Sequence, residues 1–401
     1  EGVDMDGKTM KDISDRKVDE IEQCIWDIAD YLHSHPELGT QEVLASAYLR
    51  RVLTEAGFTV GDCVPEAFPT AFEAVCGSGP VHIGFLAEYD ALPGIGHGCG
   101  HNLIAAMSVG AAIAFAAAAS DEATIHVYGC PAEETAASKA YMSAHHVFDS
   151  LTAALIIHPG EDKTTLGGTS YATHPLEFTF TGKPAHVADP SYHGINALDA
   201  LVDFYGQLKQ LEQTFTERHI IGTIITEGGM APNIIPDRAV MRATIRALKT
   251  EYLEQTMLPQ IKALAQRVSD AHGTKLTMYH YEPLLMDMVN DPRLDVDFAD
   301  AFSELGEEFD IKDDDFAEGS TDVGNVSYIT RVSQPSLCIG YDISAHTPEF
   351  AAAAGSRYAK IQALVGAKAM ARVAIDVLHE KPVRENPADE REAAWRQAFG
   401  G

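Results

Sequence analysis

Hydrophobic residues near the start of the chain recur every three or four positions. The repeated positions are Val18, Ile21, Ile25, Ile28 and Leu32. This spacing places apolar side chains on one face of an α-helix, and Pro36 and Gly39 are expected to end it. A second helix is predicted from Val43 to Ala56. The opening segment is therefore expected to be helical.

Short apolar runs then alternate with helical stretches. We predict strands at Val81–Leu86, Thr124–Tyr128 and Ala153–Ile157, and helices at Leu103–Ala119 and near Ala136–Val147. This alternation is typical of an α/β domain with a largely parallel sheet. Ligands in such sheets bind beyond the carboxyl ends of the strands. The loops that follow these three strands are therefore the expected place for a functional site.

The pattern of apolar residues changes after residue 170. Leu176, Phe178 and Phe180 alternate with polar residues, as in a strand with one exposed face. Helices and strands then follow in the order typical of a small α+β layer. They are predicted at Ile195–Leu211, Ile220–Glu227, Ala239–Ala247, Tyr252–His272 and Lys275–Tyr281.

From Pro292 onward the α/β pattern returns. A strand is predicted at Ser336–Ile339 and a long alanine-rich helix from Ala351 to Leu378. The two α/β parts are expected to form one discontinuous domain, residues 1–171 and 287–401. The α+β layer, residues 172–286, is expected to be inserted between them.

Composition narrows the range of partners. The 401 residues are 46% hydrophobic, enough to bury a core, and 59 acidic against 29 basic residues give a formal charge of −30. Such a field repels phosphate backbones and anionic lipid headgroups, so neither nucleic acid nor a membrane surface is an expected partner. The longest stretch of low polarity, Ile104 to Ala119, falls short of the ~20 strongly apolar residues that span a bilayer.

Cysteine usage and the start of the chain bear on location. The six cysteines are scattered and form no CxxC pair, so reduced thiols are expected rather than a disulfide framework. The acidic segment that begins at Glu1 lacks the basic and apolar regions of a secretory signal. We therefore expect a cytoplasmic protein.

The densest group of chemically active side chains lies in a glycine-rich segment, residues 94–102. The segment does not satisfy the nucleotide-binding pattern GxGxxG, because Cys99 stands where the third glycine is required. Cys99 and His101 are two metal-binding residue types on a turn that glycine relieves of crowding. At this point a metal site, a tight turn with an incidental thiol and a thiol nucleophile at Cys99 all remain open.

Further candidates follow the other predicted strands. Glu133 and Glu134 come directly after a strand, either as solvated charges or as a metal ligand beside a proton-transfer group. His158 ends another strand, and His346 precedes the long helix. Lone histidines are more often structural residues than ligands. Their case as ligands depends on placement, because loops at one sheet edge are expected to converge on one pocket.

Several motifs along nearly the whole chain resemble one enzyme group. They are His35–Gly39, Glu88–Pro93, His97–His101, Pro131–Glu134, Gly182–His186, Asn196–Asp199, Ala231–Pro236 and His346. The sequence resembles the aminoacylase and carboxypeptidase-G superfamily of co-catalytic metallopeptidases, in the branch with indole-acetyl-amino-acid hydrolases and hippurate hydrolases. Within that branch, residues 319–327 are most similar to the p-aminobenzoyl-glutamate hydrolase and aminoacylase-like dipeptidase subgroup. The resemblance implies a zinc-peptidase-like α/β catalytic domain with a mixed, largely parallel sheet and an inserted α+β lid or dimerisation domain.

The resemblance also implies a site with two divalent ions. Cys99 is expected to bridge them, and the other implied ligands are His101, Glu134, His158 and His346. Glu133 is expected to be the general base and Asp90 to orient a ligand imidazole, whereas the role of Glu88 stays open. A thiolate ligand favours zinc, and the nitrogen and oxygen ligands leave manganese or cobalt possible.

Residues of the inserted domain are implied to complete the site. His186 matches a histidine that the family supplies from a partner subunit to the oxyanion, which implies a homodimer formed through this domain. Asn233 and Arg246 match positions that bind the free carboxylate of the substrate. Ser320 and Thr321 are expected to line the pocket beside the metals.

The leading interpretation is a metal-dependent amidohydrolase or peptidase. Its expected substrates are N-acyl amino acids, p-aminobenzoyl-glutamate-like conjugates or dipeptides, attacked by a metal-activated water. Alternatives are a deacetylase or aminoacylase of small N-acyl amino acids and a noncatalytic homologue that binds metal or ligand. A serine hydrolase or a zincin is disfavoured, because the chain contains neither GxSxG nor HExxH.

Overall fold

The chain folds as two compact units. The computed structural model describes residues 6–189 and 193–380. The first unit comprises Glu1–Thr169, Val289–Phe316 and Asp322–Gly401, and the second comprises Ser170–Met288 and Ala317–Thr321. The second unit contains the whole of the predicted inserted domain and also a short segment from later in the chain. Residues 1–5, 190–192 and 381–401 of the predicted domains lie outside the described residues.

Helices and strands alternate through most of the described chain. The helices are α1 (Gly7–Glu20), α2 (Glu22–Ser34), α3 (Val43–Glu55), α4 (His101–Ala119), α5 (Ser138–Ala144), α6 (Ala197–Glu212), α7 (Thr250–Tyr252), α8 (Leu258–His272), α9 (Pro292–Leu305), α10 (Val323–Ser327), α11 (Pro348–Ala354) and α12 (Arg357–His379). The strands are β1 (Thr59–Asp62), β2 (Phe72–Gly77), β3 (Val81–Glu88), β4 (Ala123–Cys130), β5 (Ala153–Leu155), β6 (His158–Gly160), β7 (Thr164–Thr169), β8 (Ala172–Thr181), β9 (His219–Glu227), β10 (Arg238–Ala247), β11 (Lys275–His280), β12 (Phe309–Ala317), β13 (Arg331–Ser333) and β14 (Ser336–Cys338). A π-helical segment, Leu253–Met257, joins α7 to α8.

Two predicted helices are each broken into two. The opening helix is interrupted at Ile21, whose ψ of 15° departs from helical geometry, so α1 and α2 meet there. The long C-terminal helix is interrupted at Gly355 and Ser356, and the Ser356 hydroxyl accepts a hydrogen bond from the Ala359 amide to begin α12. A serine that caps the backbone favours a new helix start over continuation.

The main sheet of the first unit is mixed and largely parallel, as predicted. Its strand order is β1-β2-β4-β3-β5-β13, and the pairs β4–β3, β3–β5 and β5–β13 are parallel. The antiparallel strands β1 and β2 were absent from the sequence prediction. A second sheet has the order β12-β7-β14-β6. The loops that hold the candidate site residues follow the parallel strands β3, β4 and β5.

Helix α4 is the central helix of the first unit. It contacts β3 and the helices α1, α2 and α12, and nearly all of its residues are buried. By length and composition alone, α4 is apolar enough to cross a membrane, but 89% of its apolar window is buried within the protein. Protein side chains therefore cover the surface that lipid would need. The first turn of this helix starts at His101, so the core positions a candidate ligand.

The second unit is an antiparallel sheet with helices on one face. The strand order is β11-β8-β10-β9, and α6 and α8 contribute to a core that includes Leu176, Phe178 and Phe180. The prediction of a half-exposed strand for these residues was incomplete, because β8 lies between two neighbours and Glu177 on its other face is also buried. The edge strand β9 exposes several isoleucines, including Ile224.

Candidate metal centre

The candidate ligands follow parallel strands that end at one edge of the main sheet. Strand β3 ends at Glu88, β4 ends at Cys130 and leads to the Glu133–Glu134 pair, and β5 is followed by His158. Because β4, β3 and β5 are parallel neighbours, the loops after them lie at the same edge. His346 reaches this edge from the loop after β14, where its backbone N–H donates to the Gly98 carbonyl at 2.8 Å.

Six side chains far apart in the sequence come together here. Their potential ligand atoms lie within 4.8 Å of one another in three groups: Cys99 with His101 and His158, Cys99 with Glu134 and His346, and His101 with Glu133 and Glu134. The Cys99 Sγ lies 3.4 Å from the His158 Nε2, and the His346 Nε2 lies 3.1 Å from the Glu134 Oε1. Cys99 is common to the first two groups, which is the arrangement that a bridging thiolate between two ions requires.

Hydrogen bonds orient the candidate imidazole ligands. The His101 Nδ1 lies 2.8 Å from the Asp90 Oδ1, and the His158 Nδ1 lies 2.7 Å from the Pro159 carbonyl. We assign the proton to Nδ1 in both rings, because each of these oxygens is an acceptor. The Nε2 lone pairs then face the cluster. Asp90 also accepts the Glu134 N–H with its second oxygen at 3.0 Å, so it braces two candidate ligands.

The donor set fits divalent transition-metal ions. A thiolate, imidazoles and a carboxylate are the ligands that zinc takes in proteins. The His101 Nε2 is fully buried, and no described residue forms a hydrogen bond with it. An unpaired buried nitrogen is costly unless it donates its lone pair to a cation. The residues present therefore fit the two ions that the resemblance implies.

The backbone holds three of these loops in conformations that side chains rarely adopt. Gly100 has φ 76°, and a Cβ there would lie 2.8 Å from the Pro159 Cγ. His346 and Ala132 are not glycines yet have φ values of 64° and 57°. Such strain persists where the surrounding structure enforces it, often at functional sites. Gly100 and Ala132 adjoin residues of the cluster, and His346 belongs to it.

Burial raises the pKa of two side chains that could take part in a reaction, Glu133 and Cys99. Burial above all, then the negative charges of Glu88 and Asp322, raises the pKa of Glu133 well above its usual range. Burial disfavours the charged carboxylate in the metal-free protein, and bound cations beside it would offset this cost. Burial also raises the pKa of the Cys99 thiol to about 12. Cys99 therefore stays a thiol near neutral pH unless a cation stabilises the thiolate, which disfavours a cysteine nucleophile.

Two buried residues at this site were missed by sequence reasoning. Lys139 on α5 lies 2.7 Å from a Glu88 oxygen and 2.6 Å from an Asp322 oxygen. Glu42 accepts the Ala132 N–H at 2.7 Å, and burial raises the pKa of this carboxyl to about 7. Neither residue lies in a metal-ligand pattern, so the chain offered no signal for them. Glu42 braces the loop that carries Glu133, whereas Lys139 pairs with two buried carboxylates.

The second unit contains the other candidate residues. His186 and Asn233 lie on facing segments, which are joined by hydrogen bonds from the Val187 amide to the Asn233 carbonyl and from the Ile235 amide to the Ala185 carbonyl. Both side chains are on exposed residues. The backbones of His186 and Ile234 also form an isolated antiparallel β-bridge between the two segments. The two candidates are thus close neighbours.

A second pair of candidates shares one face of the β8–β10 sheet. Arg246 on β10 is the cross-strand partner of Thr173 on β8, and the Thr173 hydroxyl lies 2.8 Å from the Ser320 hydroxyl. Directly opposed residues in a sheet point to the same face. Arg246 and Ser320 therefore flank Thr173, which the sequence analysis did not single out. Thr321, the remaining candidate, adjoins Ser320 in the chain.

Comparisons with known proteins agree with this architecture. Residues 175–271 match a peptidase dimerisation domain. The Xaa-Arg dipeptidase of Mus musculus is 30% identical over 92% of this chain and 89% of its own length, and a p-aminobenzoyl-glutamate hydrolase subunit of Escherichia coli is 34% identical over 55% and 50%. A Bacillus subtilis dinuclear metal-binding peptidase of the M20 family superposes with a TM-score of 0.69 at 22% identity, covering 90% of this chain and 99% of that one. The chain therefore belongs to the M20 family of metallopeptidases, which act on amide bonds, in the aminoacylase and dipeptidase branch.

Proposed function

We propose that this protein hydrolyses the amide bond that precedes a C-terminal amino acid with a free carboxylate. The observation that carries the proposal is the convergence of Cys99, His101, Glu134, His158 and His346 around one point with Glu133 beside them. Dipeptides are the proposed main substrates, in keeping with the Xaa-Arg dipeptidase to which the chain is similar over nearly its whole length. N-acyl amino acids and p-aminobenzoyl-glutamate-like conjugates are proposed as poorer ones.

Two divalent ions are proposed to occupy the site, one held by Cys99, His101 and His158 and the other by Cys99, Glu134 and His346. Zinc suits the thiolate and imidazole nitrogens best, and manganese or cobalt would also suit the remaining donors. Bound ions supply Lewis acidity, which polarises the amide carbonyl and lowers the pKa of a water molecule. The rest of the reaction falls to side chains of this protein.

Glu133 moves the proton. Its carboxylate accepts a proton from the attacking water as the new carbon–oxygen bond forms, and then donates that proton to the amide nitrogen as the carbon–nitrogen bond breaks. The products are a carboxylic acid and an amine, and the acid then passes its remaining proton to the amine, which leaves a carboxylate and an ammonium ion. His186 is proposed to donate a hydrogen bond to the oxyanion. The noncatalytic alternative is disfavoured, because a protein that only binds metal needs no base at this position.

The face of the second unit around Thr173 is proposed to bind the substrate carboxylate. Arg246 offers a guanidinium that suits a carboxylate, and Ser320 and Thr173 add hydroxyl donors beside it. Asn233 is proposed to add an amide donor. A binding site built for a free carboxylate favours the last amide bond of a peptide over internal amide bonds, which have no carboxylate on the following residue.

The proposed specificity predicts a clear order in a substrate panel. We expect metal-reconstituted protein to cleave dipeptides that end in arginine or lysine with a higher kcat/KM than p-aminobenzoyl-glutamate or N-acetyl amino acids. One reason is the net charge of −30, which attracts cationic substrates and repels the dianionic glutamate conjugate. The difference in kcat/KM between these substrates should become smaller as the salt concentration rises, because salt screens this attraction. N-acetyl amino acids as the best substrates would favour the deacetylase alternative instead.

Matched substrates test the role of Arg246. Arg246→Met is expected to lower kcat/KM for a dipeptide by about 10–100-fold, which corresponds to the loss of a charge-assisted hydrogen bond. For the corresponding dipeptide amide, which lacks the carboxylate, the kcat/KM of this variant should differ little from that of the wild type. Arg238→Met is the control, because Arg238 lies on the same strand and pairs with Glu227. An equal loss on both substrates would contradict the assignment.

A homodimer is proposed to complete each site. The peptidase dimerisation domain match and the exposed isoleucines of the edge strand β9, such as Ile224, support an interface on the second unit. In this arrangement His186 acts in the active site of the partner subunit. A twofold interface places the same residue in both sites.

Mixing two inactive variants tests this exchange of histidines. His186→Ala and Glu133→Gln homodimers should each be inactive, but a mixed dimer contains one site with both groups intact if His186 acts in the partner. Random reassortment of equal amounts should therefore restore about a quarter of the wild-type activity. No recovery, despite subunit exchange shown by native mass spectrometry, would mean that His186 serves its own subunit or none. Ile224→Asp, which places a charge in the interface, should prevent the recovery.

A further inference from the structure

A buried lysine lies behind the metal centre and contacts none of its proposed ligands. The Lys139 ammonium on α5 lies between Glu88 Oε1 at 2.7 Å and Asp322 Oδ1 at 2.6 Å, and its backbone N–H donates to Asp322 Oδ2 at 2.8 Å. All three side chains are at most 1% exposed. Two carboxylates and one ammonium leave a net charge of about −1 among buried side chains. Such a charge is costly unless a further cation compensates it.

The second oxygen of Glu88 points to where that cation would be. Glu88 Oε2 lies 3.4 Å from the His101 Nε2, and no described residue donates a hydrogen bond to it. Since the His101 Nδ1 donates to Asp90, the Nε2 presents a lone pair toward this carboxylate oxygen. A lone pair and a carboxylate oxygen at this separation repel each other, and a cation bound by both removes the repulsion.

We infer that Glu88 is an additional ligand of the ion held by His101, and that Lys139 is the positioning residue that aims it. Lys139 binds Oε1 and so leaves Oε2 free for the ion, which is the usual way in which an outer partner orients a ligating carboxylate. Asp322 fixes the ammonium from the other side. The inference rests on the two-ion centre proposed above and adds a ligand and its support to that centre.

The extra carboxylate makes the two ion positions unequal. The ion at His101 gains a buried negative ligand, whereas the ion at His346 is held by a histidine whose side chain is 54% exposed. We therefore expect the His101 ion to bind more tightly and to leave last under chelation. The competing account places a proton on the His101 Nε2, which would make Glu88 a simple ion-pair partner and leave no lone pair for an ion.

Metal binding to the full-length protein separates these accounts. Calorimetric titration of the metal-free wild type with zinc should show two ions, and Glu88→Gln should weaken the tighter one by about 10–100-fold while the other changes little. Asp297→Asn is the matched control, because it removes a carboxylate from a partly buried position of the same unit, on α9. Unchanged affinity in Glu88→Gln would overturn the inference.

The cobalt-loaded protein tests the role of Lys139. Lys139→Arg keeps the charge but changes the donor geometry, so the visible cobalt absorption of the saturated variant should shift from that of the wild type. A purely structural lysine would lower the melting temperature without changing this spectrum, and that result would remove the positioning role.

If these variants fail to fold, an experiment on the wild-type protein tests the inference. A crystal structure with zinc bound should place a Glu88 oxygen about 2.0–2.2 Å from the ion at His101. A Glu88 carboxylate that lies well beyond that distance would overturn the inference and leave the proposed function intact. A wild type that binds no ion under any of these conditions would overturn both.

Discussion

Replacing Glu133 with glutamine is expected to lower kcat by about 10²–10⁴-fold while both metal ions remain bound. The magnitude is that of a lost general acid–base group. Glutamine has nearly the same shape as glutamate but cannot accept the proton of the attacking water. In the proposed centre Glu133 lies beside the ligands without being one, so zinc stoichiometry should not change. Steady-state kinetics on a dipeptide, with metal content measured on the same samples, checks both statements.

Two comparisons make the Glu133 result specific. Glu134→Gln alters a proposed ligand and should reduce metal content together with activity, whereas Glu55→Gln alters an exposed residue at the end of α3 and should change neither. Because burial and nearby carboxylates raise the pKa of Glu133, the metal-free protein should protonate this residue more readily than an exposed glutamate. Turnover retained in Glu133→Gln with both ions bound would remove the proposed mechanism.

Much of the candidate centre was predictable because its parts follow strands of recognisable pattern. The runs that became β3, β4 and β5 are short and apolar. A candidate ligand follows β4 and β5 within a few residues, and Cys99 follows β3 after a longer glycine-rich segment. Parallel neighbours bring their carboxyl ends together whatever the separation along the chain. That rule is enough to place Glu134 and His158 near Cys99. The same rule was applied to His346, but its loop follows β14, a strand of another sheet, so the rule does not account for its position.

The supporting residues could not be predicted for a physical reason. Lys139 forms a hydrogen bond with Asp322, which lies 183 residues away in the sequence. Glu42 forms one with Ala132, which lies 90 residues away. A lone lysine or glutamate in a polar stretch is normally solvated, so nothing local distinguishes one that is buried. The break at Ile21 was unpredictable as well, because the apolar periodicity continues through that position, whereas Gly355 and the capping Ser356 are a local signal that the sequence analysis did not use. Hydrophobic spacing predicts which face is buried but not where two helices meet.

Removing the metal ions is expected to abolish activity reversibly, and this separates the metallopeptidase from a thiol hydrolase. Dialysis against a strong chelator should lower the rate by at least about 10²-fold, and added zinc or manganese should restore it. The metal-free protein retains the Cys99 thiol, but its pKa of about 12 keeps the nucleophilic thiolate scarce near neutral pH. A cysteine hydrolase would instead survive the chelator and be inactivated by a thiol-alkylating reagent.

Stability should fall together with activity when the ions are removed. Each ion stabilises the folded state by about 2.7 kcal/mol when its free concentration is 100 times its Kd, provided that it does not bind the unfolded chain. Denaturant unfolding with and without zinc measures the difference, and the Glu133→Gln variant should show the same metal-dependent gain although it is inactive. Cys99→Ala should lose most of that gain, because both proposed ions share its sulfur. A chelator-treated protein that is as stable and as active as before would show that these side chains converge for a reason other than metal.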